Sequence, residues 1–466
     1  MNSPPQSAIR FVLFATGVTA IGGFLFGYDT AVINGANSYL KAQMNLDPTQ
    51  EGFAGASAIL GCIPGAMCAG FLSDRFGRKK LLFICALLYA VSGLLSAIPR
   101  TFAEFLAARF ISGLGIGASS MICPVYIAEI APEKWRGRLG SLFQLGIVMG
   151  IFNTLFVNKL IQGMGDEAWN TASGWRWMLG MEVVPAVIFI ALLFAVPESP
   201  RWLLQKGREA QARRVLEEVG GPDHAATELA SIREAMRGEV GRFSELFAGA
   251  FSRPLAAAVV LMACSQFCGI NAIMYYSTRI FESAGAGKNA AFTSSVWVGL
   301  INLVFTFVAI ALVDRAGRKP LLLAGTAIQA VALALVAWMF HSRQYGVALL
   351  VCVVLFIAAF AMAMGPIGWL LCSEIFPNKL RARAMSVAAF TVWTSCYIVA
   401  QTFPMLNDST AVGPARTFGI YALVSLLSFV FVLVFIPETK GRTLEQIEKM
   451  WTASAASGSR KIKTSV

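Results

Sequence analysis

The stretch that decides the fold is SDRFGRK, at Ser73–Lys79, a short charged segment between two long apolar runs. It returns 240 residues later as VDRAGRK, at Val313–Lys319, again between two apolar runs. Two further motifs repeat in the same order, EIAPEKWRGR at 129–138 with EIFPNKLRAR at 374–383, and PES at 197–199 with PET at 437–439. Internal symmetry at nearly one spacing indicates that the chain is built as a duplicated unit.

Twelve apolar runs surround these motifs, at roughly 11–36, 52–72, 81–98, 102–123, 139–161, 177–196, 255–276, 291–313, 321–340, 347–372, 384–406 and 416–436. A membrane-spanning helix needs about 20 apolar residues, and each run comes near that length. Hydrophobic residues make up 56% of the 466 residues and charged residues only 14%. This composition excludes a disordered chain, a fibrous chain and almost any soluble enzyme, and it predicts an all-α membrane protein with 12 transmembrane helices.

The duplication places six of these helices in each of two halves. Parallel halves related by an axis along the membrane normal are an architecture of rocker-type transporters. We predict an N-terminal six-helix half at 1–196, a cytoplasmic linker of amphipathic helices at 197–253, a C-terminal six-helix half at 254–436 and a cytoplasmic tail at 437–466.

The basic residues predict the orientation in the bilayer. An even number of spans puts both termini on one side, and that side carries 29 of the 38 Lys and Arg residues, against eight on the other. The positive-inside rule therefore predicts that both termini are cytoplasmic. The net charge of +12 indicates topology and contact with anionic lipid rather than binding to nucleic acid.

The repeated charged motifs have a possible use beyond topology. Charged loops that face each other across the pseudo-axis could pair when the inner side is shut and separate when it opens. The alternative is positive charge that only faces lipid, but a topology signal needs no carboxylates. The predicted cytoplasmic network comprises Asp74, Arg78, Glu129, Arg136, Glu198, Asp314, Arg318, Glu374 and Arg381.

Together with other motifs, these segments resemble the sugar porter family of the major facilitator superfamily, of the bacterial monosaccharide/proton symporter type. The resemblance covers nearly the whole chain. It implies the major facilitator fold, transport of a sugar, and a bacterial-type inner (plasma) membrane as the location. The motifs are Gly27–Asp29, Asp74–Arg78, Arg109 with Gly113, Gly115 and Gly117, Pro124–Glu129, Arg136–Gly137, Gly174–Arg176, Pro197–Arg201, Gln266–Asn271, Asp314–Arg318 and Pro437–Arg442.

Three ionisable residues inside spans suggest proton coupling, namely Asp29, Arg109 and Glu182. Charges are costly in hydrocarbon and mark functional candidates. At about 1.5 Å of rise per residue the three lie at similar depth, so they could meet. Pairing with Arg109 would keep Asp29 ionised, whereas an apolar setting would favour its protonated form. The resemblance favours this proton switch, and the alternative is a permanent ion pair that fixes helix packing.

Sugars need side-chain amides, which donate and accept hydrogen bonds, and aromatic faces. The resemblance implies substrate-binding roles for Gln144, Gln266, Asn271, Asn302 and Trp369, and pocket or gate roles for Phe24, Tyr275, Tyr276, Phe360 and Trp393. Gln266 and Asn271 are five residues apart, so they can converge only if the helix breaks near Gly269. Interhelical hydrogen bonding and ordinary packing remain alternatives.

Several positions depart from the family pattern. Ser265, Val392 and Cys396 stand where relatives have polar ligands, and Ile151 stands where some have a second glutamine. Fewer amides predict weaker glucose binding, or a substrate with fewer or differently arranged hydroxyls.

Other classes of function fit less well. The two histidines, His224 and His341, lie on opposite sides, and the nine cysteines fall in apolar runs without zinc-site flanks, so neither an enzyme nor a metal or cofactor site is expected. A transporter-derived sensor would carry a longer cytoplasmic extension. The expected partners are a monosaccharide, protons and the lipid bilayer, and the expected functional unit is a monomer. Passive sugar uniport, antiport and proton-coupled polyol or inositol transport stay open.

Overall fold

The computed structural model describes residues 6–132, 135–237, 243–247 and 251–440, without the side chains of residues 6, 7, 235, 314, 378 and 379. Twelve helical stretches in these ranges are long and apolar enough to cross a membrane, which confirms the predicted all-α membrane fold. The predicted tail beyond residue 440 and parts of the predicted linker lie outside the described residues.

The first six spans contain eight helices. These are α1 Gln6–Met44, α2 Pro48–Phe76, α3 Arg78–Ala97, α4 Phe102–Ile130, α5 Arg136–Gln162, α6 Glu167–Trp169, α7 Trp175–Gly180 and α8 Val183–Leu193. A π-helical turn at Asn170–Gly174 joins α6 to α7. The helices are longer than the apolar runs, because polar residues can cap a helix end beyond the apolar run. The α2 helix, for example, begins at a capping box in which Asp47 Oδ1 accepts a hydrogen bond from the Gln50 N–H.

Three short helices follow, α9 Pro200–Gln205, α10 Glu209–Gly220 and α11 Pro222–Arg237, and then a 3₁₀ turn at Phe243–Phe247. In α10 the apolar side chains Ala212, Val215, Leu216 and Val219 are buried, whereas its charged residues are exposed. We use "linker side" for the helix ends near this segment and "far side" for the opposite ends.

The last six spans contain α12 Ser252–Phe267, α13 Ile270–Ser283, α14 Lys288–Ala316, α15 Arg318–Ser342, α16 Val347–Met362, α17 Met364–Ile375, α18 Asn378–Asn407 and α19 Gly413–Phe435. Span seven is divided between α12 and α13, and span ten between α16 and α17. Most of the buried residues of the hydrophobic core here come from α12, α17 and α18.

The chain forms two compact units. The first comprises residues 1–238, 274–280 and 287–299, and the second comprises 239–273, 281–286 and 300–466. The first unit thus includes short far-side segments of spans seven and eight. The division into halves at 196, 253 and 436 remains a prediction from the repeat.

The repeated motif forms the same turn in both units. Gly77, between α2 and α3, has φ 102°, and Gly317, between α14 and α15, has φ 92°. Residues other than glycine rarely adopt this backbone conformation. A Cβ would also lie 2.2 Å from Glu198 Oε2 at the first position and 2.8 Å from Glu438 Oε2 at the second. The duplication therefore extends from the sequence to the backbone.

Candidate transport site

A buried ion pair joins α1 and α4 in the first unit. Arg109 Nη1 pairs with Asp29 Oδ1, and Arg109 Nη2 donates to the Asp29 carbonyl at 3.1 Å. The residues are 1% and 0% exposed. The second carboxylate oxygen, Asp29 Oδ2, has no hydrogen-bond partner among the described residues. The pair therefore neutralises both charges and leaves one oxygen that could accept a proton.

Glu182 lies in the same region but outside this pair. It stands at the break between α7 and α8 and is 1% exposed. Its charge interacts with that of Arg109, yet among the described side chains it makes no ion pair within 4 Å. Its Cβ packs against Gly93 of α3, where an added Cβ would lie 3.4 Å away. Two of the three predicted proton-coupling residues are thus bonded, and the third is a buried neighbour.

Two buried hydroxyl groups within electrostatic range of Glu182 are not among the residues predicted from the sequence. Tyr28 and Tyr89 are buried and close enough to interact with Glu182 electrostatically. Tyr89 shares a 2.8 Å hydrogen bond with Ser119. Tyr28 precedes Asp29 in a quoted motif, which was an available signal, whereas Tyr89 lies in an apolar run that gave none.

The first unit holds two of the predicted sugar-site residues. Gln144 on α5 and Phe24 on α1 are both half-buried. The α5 helix can approach α1 closely because Gly150 faces Phe24, whose carbonyl would lie 2.0 Å from a Cβ at that glycine. Ile151, the departure from the family pattern, is buried at 7% exposure.

The second unit brings Gln266 and Asn271 together. Span seven breaks between Phe267 and Ile270, with Gly269 at φ 89°, which confirms the predicted helix break. Asn271 Nδ2 donates to Gln266 Oε1 at 2.6 Å, and Gln266 Nε2 donates to Ser265 Oγ at 2.9 Å. The amides thus converge although a continuous helix would point them apart.

The remaining predicted residues of this unit lie on four helices. Asn302 on α14 is 6% exposed and Trp393 on α18 is 8% exposed. Phe360 on α16 is half-buried and Trp369 on α17 is 36% exposed. Phe360 and Trp369 flank the break in span ten at Ala363, whose φ and ψ are −121° and −86°.

The predicted gate tyrosines belong to the first unit. Tyr275 and Tyr276 lie in α13 and are 4% and 0% exposed. Tyr276 packs against Gly55 of α2, where an added Cβ would lie 2.1 Å from the Tyr276 hydroxyl oxygen. Both side chains are therefore buried, and Tyr276 packs against another helix.

The linker-side ends of the first unit carry a bonded charge cluster. Arg78 donates from Nε and Nη2 to the two oxygens of Glu129, each at 3.0 Å, and from Nη1 to Asp74 at 3.0 Å. Ser199 Oγ donates to Glu129 at 2.5 Å. Glu198 accepts from the backbone N–H of Arg78 at 2.9 Å, at the start of α3. Bidentate arginine–carboxylate pairs of this kind are strong and directional.

The second unit repeats this arrangement. Arg318 Nη2 donates to Glu374 at 3.1 Å, Thr439 Oγ1 donates to Glu374 at 2.6 Å, and Glu438 accepts from the Arg318 N–H at 3.1 Å. The Asp314 side chain lies outside the described residues. Each cluster is bonded within its own unit.

Two predicted members of the network are placed elsewhere. Arg136 is exposed and pairs with Glu228 of α11 at 3.7 Å. Arg381 donates only to the Phe376 carbonyl, at 3.5 Å, among its described contacts.

The two capping carboxylates differ in proton affinity. Burial raises the pKa of Glu198 above its ordinary value, and the backbone N–H donors and Arg78 offset this only in part. Glu438 is less buried, so its backbone N–H donors outweigh burial and lower its pKa. Glu198 therefore takes up a proton before Glu438 when the pH falls.

Replacing Arg78 or Arg318 by alanine is expected to favour the state that is open on the linker side. We expect the two clusters to be complete only while the linker side is shut, so each change leaves a largely buried glutamate without its cation in that state. Labelling of cysteines introduced along the linker-side pathway should rise in both variants. Arg213→Ala, on the exposed face of α10, should leave the labelling unchanged. Unaltered labelling in Arg78→Ala and Arg318→Ala would reduce these charges to topology signals.

Comparison with known proteins agrees with this architecture. The family model described as "Sugar (and other) transporter" matches residues 15–451. The arabinose-proton symporter of Bacillus subtilis (strain 168) is 41% identical over 446 residues, covering 95% of this chain and 96% of the relative. The D-xylose-proton symporter of Escherichia coli (strain K12) is 37% identical and covers 97% of each chain.

Solved structures lead to the same family. An inward-open structure of the xylose transporter from E. coli has a TM-score of 0.84 at 36% identity, covering 95% of this chain and 100% of that one. A structure of the proton:xylose symporter bound to 6-bromo-6-deoxy-D-glucose has a TM-score of 0.80 at 37% identity, covering 95% and 99%. The chain is an integral membrane protein that belongs to the sugar transporter family, a family of transporters rather than enzymes.

Proposed function

We propose that this protein is a secondary active transporter that moves a monosaccharide together with a proton by alternating access. The observation that carries the proposal is the buried Asp29–Arg109 pair, in which Asp29 Oδ2 has no hydrogen-bond partner in the part of the chain that the structure describes. Ionisable residues inside a membrane-spanning bundle are energetically costly, and they therefore usually mark a functional site. Symporters for arabinose and D-xylose among the relatives support the same reading.

The pair can couple proton binding to a change of state. When Asp29 is ionised, Arg109 attracts it and holds α1 to α4. When Asp29 is protonated, the attraction weakens, and Glu182 is the nearby carboxylate with which Arg109 can interact instead. Proton binding and release would then shift the balance between two arrangements of these helices.

The sugar is proposed to contact Gln144, Gln266, Asn271, Asn302 and Trp369. Of the amides named, Gln266 and Asn271 are joined by a hydrogen bond among the described residues. Because Ser265 and Val392 replace polar ligands, a substrate with fewer hydroxyls than a hexose is favoured, and the aldopentoses named for the relatives are the first candidates.

The proposed setting is a bacterial-type plasma membrane with both termini in the cytoplasm, since basic residues concentrate on that side. The linker side is then cytoplasmic. We further propose that the protein works as a monomer without a cofactor, with the proton gradient as its energy source.

Uptake into proteoliposomes tests the proposal. Radiolabelled arabinose, xylose, glucose and inositol would be offered with an inward proton gradient, without a gradient, and with a protonophore. Gradient-dependent accumulation of a monosaccharide is expected. Uptake that only equilibrates, whatever the gradient, would identify a passive uniporter, and accumulation of inositol alone would identify a polyol transporter.

A further inference from the structure

A third buried carboxylate lies at the far side of the first unit, besides Asp29 and Glu182. Glu51, in the first turn of α2, is 0% exposed. Its Oε1 accepts from Asn37 Nδ2 at 2.8 Å and pairs with Arg279, while Lys41 Nζ lies 2.8 Å from Oε2. The last contact is an ion pair rather than an aligned hydrogen bond. One acid thus joins α1, α2 and α13.

The Glu51–Arg279 contact is one of two rungs between α2 and α13. Gly55 is one turn beyond Glu51 on α2, and Tyr276 is one turn before Arg279 on α13. Those two residues also touch, since a Cβ at Gly55 would lie 2.1 Å from the Tyr276 hydroxyl. The ion pair and the Tyr276 contact therefore lie one turn apart on the same interface between α2 and α13.

Residues 274–280, the part of α13 that contains Tyr276 and Arg279, are also bonded to α1. Asn34 Nδ2 donates to the Met274 carbonyl and to Ser277 Oγ, each at 2.7 Å. Asn34 Oδ1 accepts from Thr278 Oγ1 at 2.5 Å. Residues 274–280 consequently pack with the first six spans in one compact unit.

The cluster is asymmetric in a way that suits a reversible contact. Asn37 and Lys41 belong to α1, so they would stay with Glu51 if α13 moved away. Among the described partners of Glu51, Arg279 is the one that belongs to α13, and its side chain is 13% exposed. The acid therefore keeps a counter-ion when the contact opens, which avoids the large cost of an unpaired buried charge.

We propose that Glu51 and Arg279 are positioning residues that hold residues 274–280, and with them Tyr276, against α2 while the pathway is shut on the far side. We call this pair the far-side latch. Its release is a step of the transport cycle, so the proposal rests on the proposed alternating-access function. The latch assigns a role to a carboxylate that lies just outside the predicted apolar run of span two.

Transport kinetics provide the first test. Arg279→Gln and Glu51→Gln should favour the far-side-open state, so sugar offered from that side should show a lower half-saturation concentration, with a maximal uphill rate reduced about fivefold or more. The double variant should match the single variants, because both changes remove the same contact. Arg279→Lys should keep most of the wild-type rate, and Glu167→Gln, which removes an exposed far-side ion pair with Lys288, should leave both parameters unchanged.

Hydrogen exchange provides a test that does not depend on transport. Amide exchange within residues 274–280 should accelerate in Arg279→Gln but not in Glu167→Gln, measured by mass spectrometry on the full chain in nanodiscs. Wild-type exchange and kinetics in Arg279→Gln would overturn the latch, as would effects that add in the double variant. If the wild type accumulates no sugar, the proposed function fails, while the exchange result still decides the latch. Arg279→Gln suffices if Glu51→Gln does not fold.

Discussion

Replacing Asp29 by asparagine is expected to abolish accumulation of sugar against its gradient and to leave sugar exchange across the membrane. Asparagine has nearly the size and neutrality of a protonated aspartate, so the variant resembles a transporter that never releases its proton. Its side-chain oxygen can still accept from Arg109, which pairs with Asp29 in the wild type. Uphill uptake and counterflow in the same proteoliposomes measure the two activities separately.

Three controls make this result specific. Asp29→Glu keeps a titratable group and should retain part of the uphill uptake. Breaking a buried ion pair costs about 3–5 kcal/mol in other proteins, so monodispersity and thermal unfolding must be compared with the wild type. Glu182→Gln, beside but outside the pair, should have the smaller effect. If Asp29→Asn lost both activities while still folded, or kept both, the coupling role would be wrong.

Replacing Gln266 by alanine should weaken sugar binding more than any other single change at the proposed site. The amide is held by Ser265 on one side and Asn271 on the other. Its loss leaves sugar hydroxyls and the Asn271 amide without a partner, which costs roughly 1–3 kcal/mol. That corresponds to a rise in the half-saturation concentration of about 5- to 150-fold.

Ser265→Ala is the matched control, because it removes the support of Gln266 and leaves the amide in place. Ser265 is 3% exposed and also donates to the Met262 carbonyl, so its role would be indirect. We expect Ser265→Ala to lose roughly 0.5–1.5 kcal/mol of sugar-binding free energy. Transport of a panel of aldoses, ketoses and polyols by both variants decides between the two sizes of effect. Unaltered half-saturation for every substrate in Gln266→Ala would place the sugar elsewhere.

The spans were predictable because lipid leaves the backbone few alternatives to a helix. Their ends were not, since α2 at Pro48–Phe76 exceeds the apolar run at 52–72 on both sides. Polar caps and charged turns continue the helix beyond the hydrocarbon. Glu51 gives no signal in the sequence for this reason, because it follows a polar stretch but lies inside the helix.

The break in span seven was predictable from a different argument. Two amides five residues apart could not share one site on a straight helix, and Gly269 was the residue able to relieve the conflict. The break in span ten at Ala363 was not among the predictions, although Gly365 and Pro366 follow it and a proline cannot donate to the carbonyl four residues back.

The sequence by itself determined the number of spans and the duplication of the charged motifs, because apolar length and a repeated motif are recognisable without knowledge of packing. Only the tertiary structure decided which buried polar groups meet. Asp29 and Arg109 are 80 residues apart, and Glu51 and Arg279 are 228 apart. Each pair forms because helix rotation and register, set by close packing, bring two costly charges to one point. The same helix rotation and register place Glu182 near the first pair without an ion pair to Arg109 among the described residues.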